Sequence, residues 1–163
     1  MKILIVLTNV KKVGRSKELT GFHFSEFSHP YDFFTNHGYE VVVGSPQGGE
    51  CPITSPHPED KINSTFYADP EKMKIVKETV KLDDLQNTNF DAVYLAGGHG
   101  TMIDFPNNPG LAAILSKTLS RGGVIAAVCH GPAGFIGAKD KDGNYLVSGK
   151  RVNSFTNTEE KEF

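Results

Sequence analysis

Four short apolar runs constrain this chain more than any other feature. Ile3-Leu4-Ile5-Val6-Leu7, Tyr39 to Val43, Asp91 to Ala96 and Val124 to Val128 are apolar nearly throughout, without polar alternation. Strands buried on both faces have this composition, because helices cover each side of a parallel sheet. Helical patterns lie between the runs. Phe22, Phe24, Phe27, Tyr31 and Phe34 recur at roughly helical spacing, with Pro30 inside the pattern and Gly38 placed as a C-terminal cap. Asp69-Pro70 opens a helix expected to run through Met73, Val76 and Val80 to about Leu85. Asn108-Pro109 opens another, with Leu111, Ile114, Leu115, Thr118 and Leu119 on one face. The alternation predicts an α/β fold: a flavodoxin-like, doubly wound parallel sheet with helices on both faces. No repeat, low-complexity tract or linker divides residues 1–163, so a single domain is expected.

In such sheets ligands bind beyond the carboxyl ends of the strands. The segments that follow the four runs are Thr8 to Thr20, the long polar and Pro-rich stretch from Ser45 to Asp60, Gly97-Gly98-His99-Gly100, and Cys129-His130-Gly131-Pro132. One shared site is therefore expected at that edge. Lys139 to Asn144 looks like a hydrophilic hairpin-like turn, Ala133 to Ala138 like the start of a helix, and Arg151 to Phe155 like a short strand.

Composition excludes several classes. The net charge is −2, with Lys and Arg scattered, which argues against a nucleic-acid or anionic-membrane surface as the main partner. Two cysteines, Cys51 and Cys129, cannot build a disulfide framework, and a reducing, cytoplasmic setting is expected. The apolar run after Met1-Lys2 is too short for a signal peptide and lacks a cleavage site. No run approaches the roughly 18 apolar residues of a membrane span.

Cys129 is the candidate nucleophile. A thiol on a tight strand-to-helix turn is exposed at the sheet edge and lies near a helix N-terminus, which favours a thiolate. Lowering a thiol pKa by two units takes about 2.7 kcal/mol, and a helix terminus supplies about 0.3–1 kcal/mol, or about 2 when partly buried. A further group is needed. His130 is adjacent, although successive side chains diverge, and it would need an acid on its far nitrogen. Glu159 and Glu160 are both possible sources of that acid. Glu26, flanked by Phe24 and Phe27, could donate to the sulfur if protonated and would raise the thiol pKa if ionised. The Gly97–Gly100 loop lacks dinucleotide-fingerprint spacing. Its backbone N–H groups suit an oxyanion hole, with the N–H after the nucleophile as second donor. The six histidines lack H-E-x-x-H spacing, so no metal site is expected, and Cys51 is expected to be an exposed loop thiol.

Two long motifs then resemble a known family. Ala96-Gly97-Gly98-His99-Gly100-Thr101-Met102-Ile103-Asp104-Phe105-Pro106 and Gly122 to Ala133, containing Ala127-Val128-Cys129-His130-Gly131-Pro132, are similar to the ThiJ/PfpI superfamily. The branch they most resemble holds glutathione-independent glyoxalases (glyoxalase III) and stress-induced holding chaperones. Glu26 with His29-Pro30, Ser45 to Gly49 and Phe155-Thr156-Asn157-Thr158-Glu159-Glu160 fit the same branch in the same order.

The resemblance implies that Cys129 is the nucleophile, His130 the proton shuttle, Glu160 its orienting acid and Glu26 the protonated partner of the sulfur. Gly98 and His130 would supply oxyanion N–H groups, with His99 in the same substrate-binding loop. The implied reaction converts a 2-oxoaldehyde such as methylglyoxal to a hydroxy acid (D-lactate), with no glutathione, metal or other cofactor. A homodimer and unfolded client proteins are further implied partners. A cysteine hydrolase of amidotransferase or peptidase type on the same fold, and a holding chaperone or redox-stress protein, are the alternatives. Members of this branch continue past the Glu-Glu motif with a further helix and strand, whereas this chain ends at Phe163. The expectation is therefore a truncated or cleaved domain, or one completed by another chain, with Glu160 loosely held.

Overall fold

The computed structural model describes residues 1–14 and 19–161; the centre of the loop read at Thr8 to Thr20 lies outside the described residues. In chain order the elements begin with β1 (Lys2–Val6), β2 (Phe22–His23), α1 (Phe24–Asn36), β3 (Glu40–Ser45), β4 (Ile53–Thr54), α2 (Lys61–Ala68) and α3 (Pro70–Lys77). They continue with β5 (Val80–Lys81), α4 (Leu82–Leu85), β6 (Ala92–Leu95), α5 (Thr101–Asp104), α6 (Pro109–Ser120) and β7 (Val124–Ala127).

Five of the strands form one parallel sheet in the order β5-β3-β1-β6-β7. The run β3-β1-β6-β7 has the 2-1-3-4 order of a flavodoxin-like sheet, and the two-residue β5 is added outside β3. Central β1 sets Ile5 against Val43 on one side and Tyr94 on the other. Alternate residues of each strand feed two cores. Leu4, Val6, Val93 and Leu95 pack with Leu82 of α4 and Leu111, Ile114 and Leu115 of α6. Ile5, Leu7 and Ala96 pack on the opposite face with Phe24 and Phe27 of α1, Phe66 of α2 and Val76 of α3. Both faces are covered, which is why the strand sequences do not alternate. Fully burying one such Leu or Phe contributes about 1.5–3 kcal/mol.

Four features depart from the sequence reading. The helix read from Asp69 to Leu85 is broken: α3 stops at Lys77, and β5 and α4 follow. Thr79 donates its hydroxyl to the Gly49 carbonyl at 2.7 Å and meets Ser45 Oγ at 2.6 Å, while Val80 pairs with Gly44. Pairing of a β-branched segment with the sheet outcompetes another helical turn. Second, α2 forms just beyond the polar stretch, over residues to which no element was assigned. The Asp60 carboxylate accepts from the Ile62 and Asn63 N–H groups at 2.9 Å each, and Phe66 is buried. Third, no α-helix starts at Ala133, because Gly131–Phe135 forms a 3-10 turn containing Gly134, and Gly137 follows it at φ +80. Fourth, Arg151 to Phe155 carries no strand. The Lys139–Tyr145 bridge closes the expected hairpin-like turn. Among the described residues no helix is long and apolar enough to cross a membrane.

Candidate active site

The ends of β1, β6 and β7 meet where the strand order reverses beside β1, the crevice that this topology reserves for ligands. Two residues past β7 the chain turns sharply, and Cys129 takes φ +55, a left-handed conformation that costs a non-glycine residue about 1–3 kcal/mol. The turn is held from several sides. Gly131 N–H donates to the Val128 carbonyl at 2.7 Å. The Cys129 carbonyl accepts from Phe155 N–H and from Ser154 Oγ, each at 2.9 Å. Strand, left-handed cysteine and 3-10 turn together have the shape of a nucleophile elbow.

The strained turn also brings neighbouring side chains together despite the divergence expected of successive residues. Cys129 Sγ lies 3.1 Å from His130 Nδ1, and His130 Nε2 meets the Glu160 carboxylate. His130 is 5% exposed, so its ring is shielded while the acid beside it remains reachable.

Glu160 sits in a second 3-10 turn, Glu159–Lys161, stabilised by Thr156 and Glu159. The Thr156 N–H and hydroxyl donate to Glu159 Oε2 at 2.7 Å each, and Glu159 N–H returns to Thr156 Oγ at 3.3 Å. This reciprocal cap resembles a capping box. It turns Glu159 back on its own backbone and leaves Glu160 facing the histidine. His130 and His99 hold the Glu160 carboxyl below the usual carboxylate range, His130 more strongly.

Glu26 approaches from α1. Its Oε2 accepts from Gly97 N–H at 2.7 Å, so the carboxyl is pinned beside the sulfur. A side chain at Gly97 would lie 2.6 Å from Glu26 Oε2 and 2.7 Å from Cys129 Cβ. Gly98, at φ +105, presses against the Gly21 carbonyl and Phe22, where no Cβ fits. The backbone N–H groups of Gly98 and His130 both reach the sulfur. Asp104 braces this loop against the end of β1, accepting from Thr8 Oγ and Asn9 N–H at 2.8 Å each.

The electrostatics correct the expectation of a resting thiolate. Burial, followed by the Glu26 carboxylate, pushes the Cys129 thiol up to about 11, against the pull of the two N–H groups. The short 3-10 turn supplies little helix dipole. Protonating Glu26 reverses its effect, because the same contact then donates to sulfur.

Other placements differ from the sequence reading. His99, grouped with the oxyanion loop, turns its ring to Glu160, with Nε2 3.2 Å from Oε2. Cys51 is buried at 3% exposure and its thiol is pushed up to about 11 by burial, so it is not the exposed loop thiol expected. Both cysteines are free. Sequence reasoning missed Asp104 as a brace; His23, near Glu26, has its Nδ1 buried without a partner. Burial lowers the His23 pKa and nearby Glu26 raises it. An aspartate in the first helical turn after a Gly-rich loop was the available clue to the former.

The DJ-1/PfpI family profile matches residues 18–161. This chain belongs to the DJ-1/PfpI family. It is 34% identical to a glutathione-independent glyoxalase of Saccharomyces cerevisiae, over 98% of this chain and 70% of that protein. Among solved structures it is similar to glyoxalase III of Candida albicans, at TM-score 0.89 and 31% identity, covering 99% of this chain and 70% of that one. It is also similar to the Rapid Encystment Protein 24 kDa of Francisella tularensis, at TM-score 0.92 and 39% identity, covering 99% and 72%. The chain therefore spans about 70% of the length of these three proteins.

Proposed function

We propose that this chain is a glutathione-independent glyoxalase acting on methylglyoxal-type 2-oxoaldehydes. The observation that carries the proposal is the continuous line Glu26–Cys129–His130–Glu160, in a chain whose relatives include named glyoxalases. Cys129 Sγ attacks the aldehyde carbon C1 while its proton passes to His130 Nδ1, 3.1 Å away. The N–H groups of Gly98 and His130 stabilise the oxyanion, which takes the proton back from the imidazolium to give a hemithioacetal. His130 then removes the C1 proton, the electron pair forms the C1–C2 double bond, and the Glu26 carboxylate carries the C1 hydroxyl proton to the C2 oxygen. His130 returns its proton to C2 as the C1 oxygen forms the carbonyl, leaving a thioester. C1 is oxidised and C2 reduced within one molecule, so no redox cofactor is consumed. Water activated by His130 displaces the thiol and releases the hydroxy acid. Glu160 stabilises the imidazolium at each step. A thiol that is protonated at rest fits this general-base sequence. Two free cysteines fit a reducing cytosol as the setting.

The test is D-lactate formation from methylglyoxal without glutathione. Cys129→Ala should abolish it; undiminished turnover in that variant would sink the covalent mechanism. A holding-chaperone role is the second reading, favoured by a groove lined by Pro132, Phe135, Ile136, Tyr145, Val147 and Val152. Three of these are large and more than half exposed: Ile136 55%, Tyr145 55% and Val152 62%. Suppression of client aggregation that survives Cys129→Ala would support it.

A further inference from the structure

We infer that His99, His130 and Glu160 form a reversible binding site for a zinc-class divalent cation, and that occupancy switches off the base. Three separate stretches supply the donors, so no local spacing advertises them. One ring nitrogen from each histidine and a carboxylate oxygen all lie within 4.8 Å of one another. The carboxylate bridges the two rings, Oε1 meeting His130 Nε2 and Oε2 meeting His99 Nε2 at 3.2 Å. The ring centroids are 4.5 Å apart.

Two imidazoles and one carboxylate, with coordination positions left open, are a common zinc donor set. Ligand atoms about 2.0–2.2 Å from a tetrahedral ion lie roughly 3.4 Å from each other. Modest movement of His99 and Glu160, 46% and 34% exposed, brings the trio to that spacing from the solvent side. Binding requires both Nε2 atoms without protons, which leave to water.

The geometry separates this site from capture of a metal by the thiol. Cys129 Sγ contacts Nδ1 of His130, across the ring from Nε2, so the sulfur stays outside the ligand set. A neutral His130 coordinated through Nε2 keeps its proton on Nδ1. It then donates to the sulfur and has no lone pair to accept the thiol proton. The ion also displaces the Glu160–His130 hydrogen bond. The inhibitory consequence rests on the base role proposed for His130; the binding does not.

Cobalt(II) is the direct probe, titrated into the whole chain by visible absorption, with zinc added to displace it. The expected result is one ion per chain without an intense thiolate charge-transfer band, retained in Cys129→Ser. Affinity should fall at least about tenfold in His99→Gln and in Glu160→Gln, since loss of a mere supporting partner already costs about 10–100-fold. Loss of binding in Cys129→Ser would show thiol capture, and unchanged affinity in His99→Gln would place the ion on other histidines; either overturns the site. If His99→Gln does not fold, diethylpyrocarbonate labelling of the unaltered chain decides. Zinc should protect His99 and His130 but not His37, and equal labelling refutes the proposal. Zinc inhibition of lactate formation, reversed by chelator, tests the consequence. A chain without glyoxalase activity would still report the cobalt spectrum, so failure of the two proposals is distinguishable.

Discussion

Replacing Glu160 with glutamine preserves shape and removes one negative charge at a defined place. In the native site the carboxylate contacts Nε2 of both His130 and His99, and the cap between Thr156 and Glu159 fixes its turn independently. The variant should therefore keep its position and lose mainly its preference for a charged His130. A hydrogen bond to a charged group contributes about 1.5–3 kcal/mol. His130 is buried, which favours the upper part of that range, but Glu160 is 34% exposed and water screens it, which favours the lower part. About 1.5–2 kcal/mol corresponds to a loss of about 10- to 30-fold in kcat/KM. The loss should fall on kcat, since the imidazolium forms only as the reaction proceeds. The assay is D-lactate production across methylglyoxal concentrations, with circular dichroism as a check on folding. A kcat/KM within twofold of the unaltered chain, in a folded variant, would show that Glu160 does not support the base.

Further outcomes follow from the same geometry. Glu26→Gln removes the charge that raises the Cys129 thiol, so the midpoint of its pH-dependent alkylation should move down from about 11 by about one unit; a midpoint that holds or rises would show that the Glu26 charge does not act on the sulfur. Iodoacetamide on the folded chain should label Cys129 and spare the buried Cys51 until denaturant is added, as read by peptide mass spectrometry. Comparable labelling of both would contradict the burial of Cys51. Gly98→Ala combines a left-handed φ with a clash against the Gly21 carbonyl, and should cost about 3 kcal/mol or more. That is a drop in Tm of about 6 °C or more, and an unchanged Tm would show that the loop can relax.

Much of the fold was legible because burial on both faces leaves its mark on each strand separately. The runs at Ile3, Tyr39, Asp91 and Val124 fall on β1, β3, β6 and β7 within a residue or two. What failed depended on distant partners. Val80 leaves its helical pattern for a place beside Gly44 that no local window contains. The α2 helix carried a readable signature, Asp60 before Ile62 and Phe66, hidden by the polar residues around it. At the site, Cys129-His130 was legible from its turn, whereas the link from His99 to Glu160 spans 61 residues. The thiol's proton affinity was not readable either. Its sign depends on a glutamate from another helix and on burial, both products of tertiary packing.

The left-handed backbone at Cys129 sets activity and durability against each other. Glycine, and less readily asparagine or aspartate, are the residues that rest easily at φ +55, and none of them brings a thiol. Substitutions that relax this turn therefore tend to produce a sturdier but inert protein. Selection for stability alone would erode the cysteine, so its retention in a descendant sequence would report selection for the sulfur's chemistry.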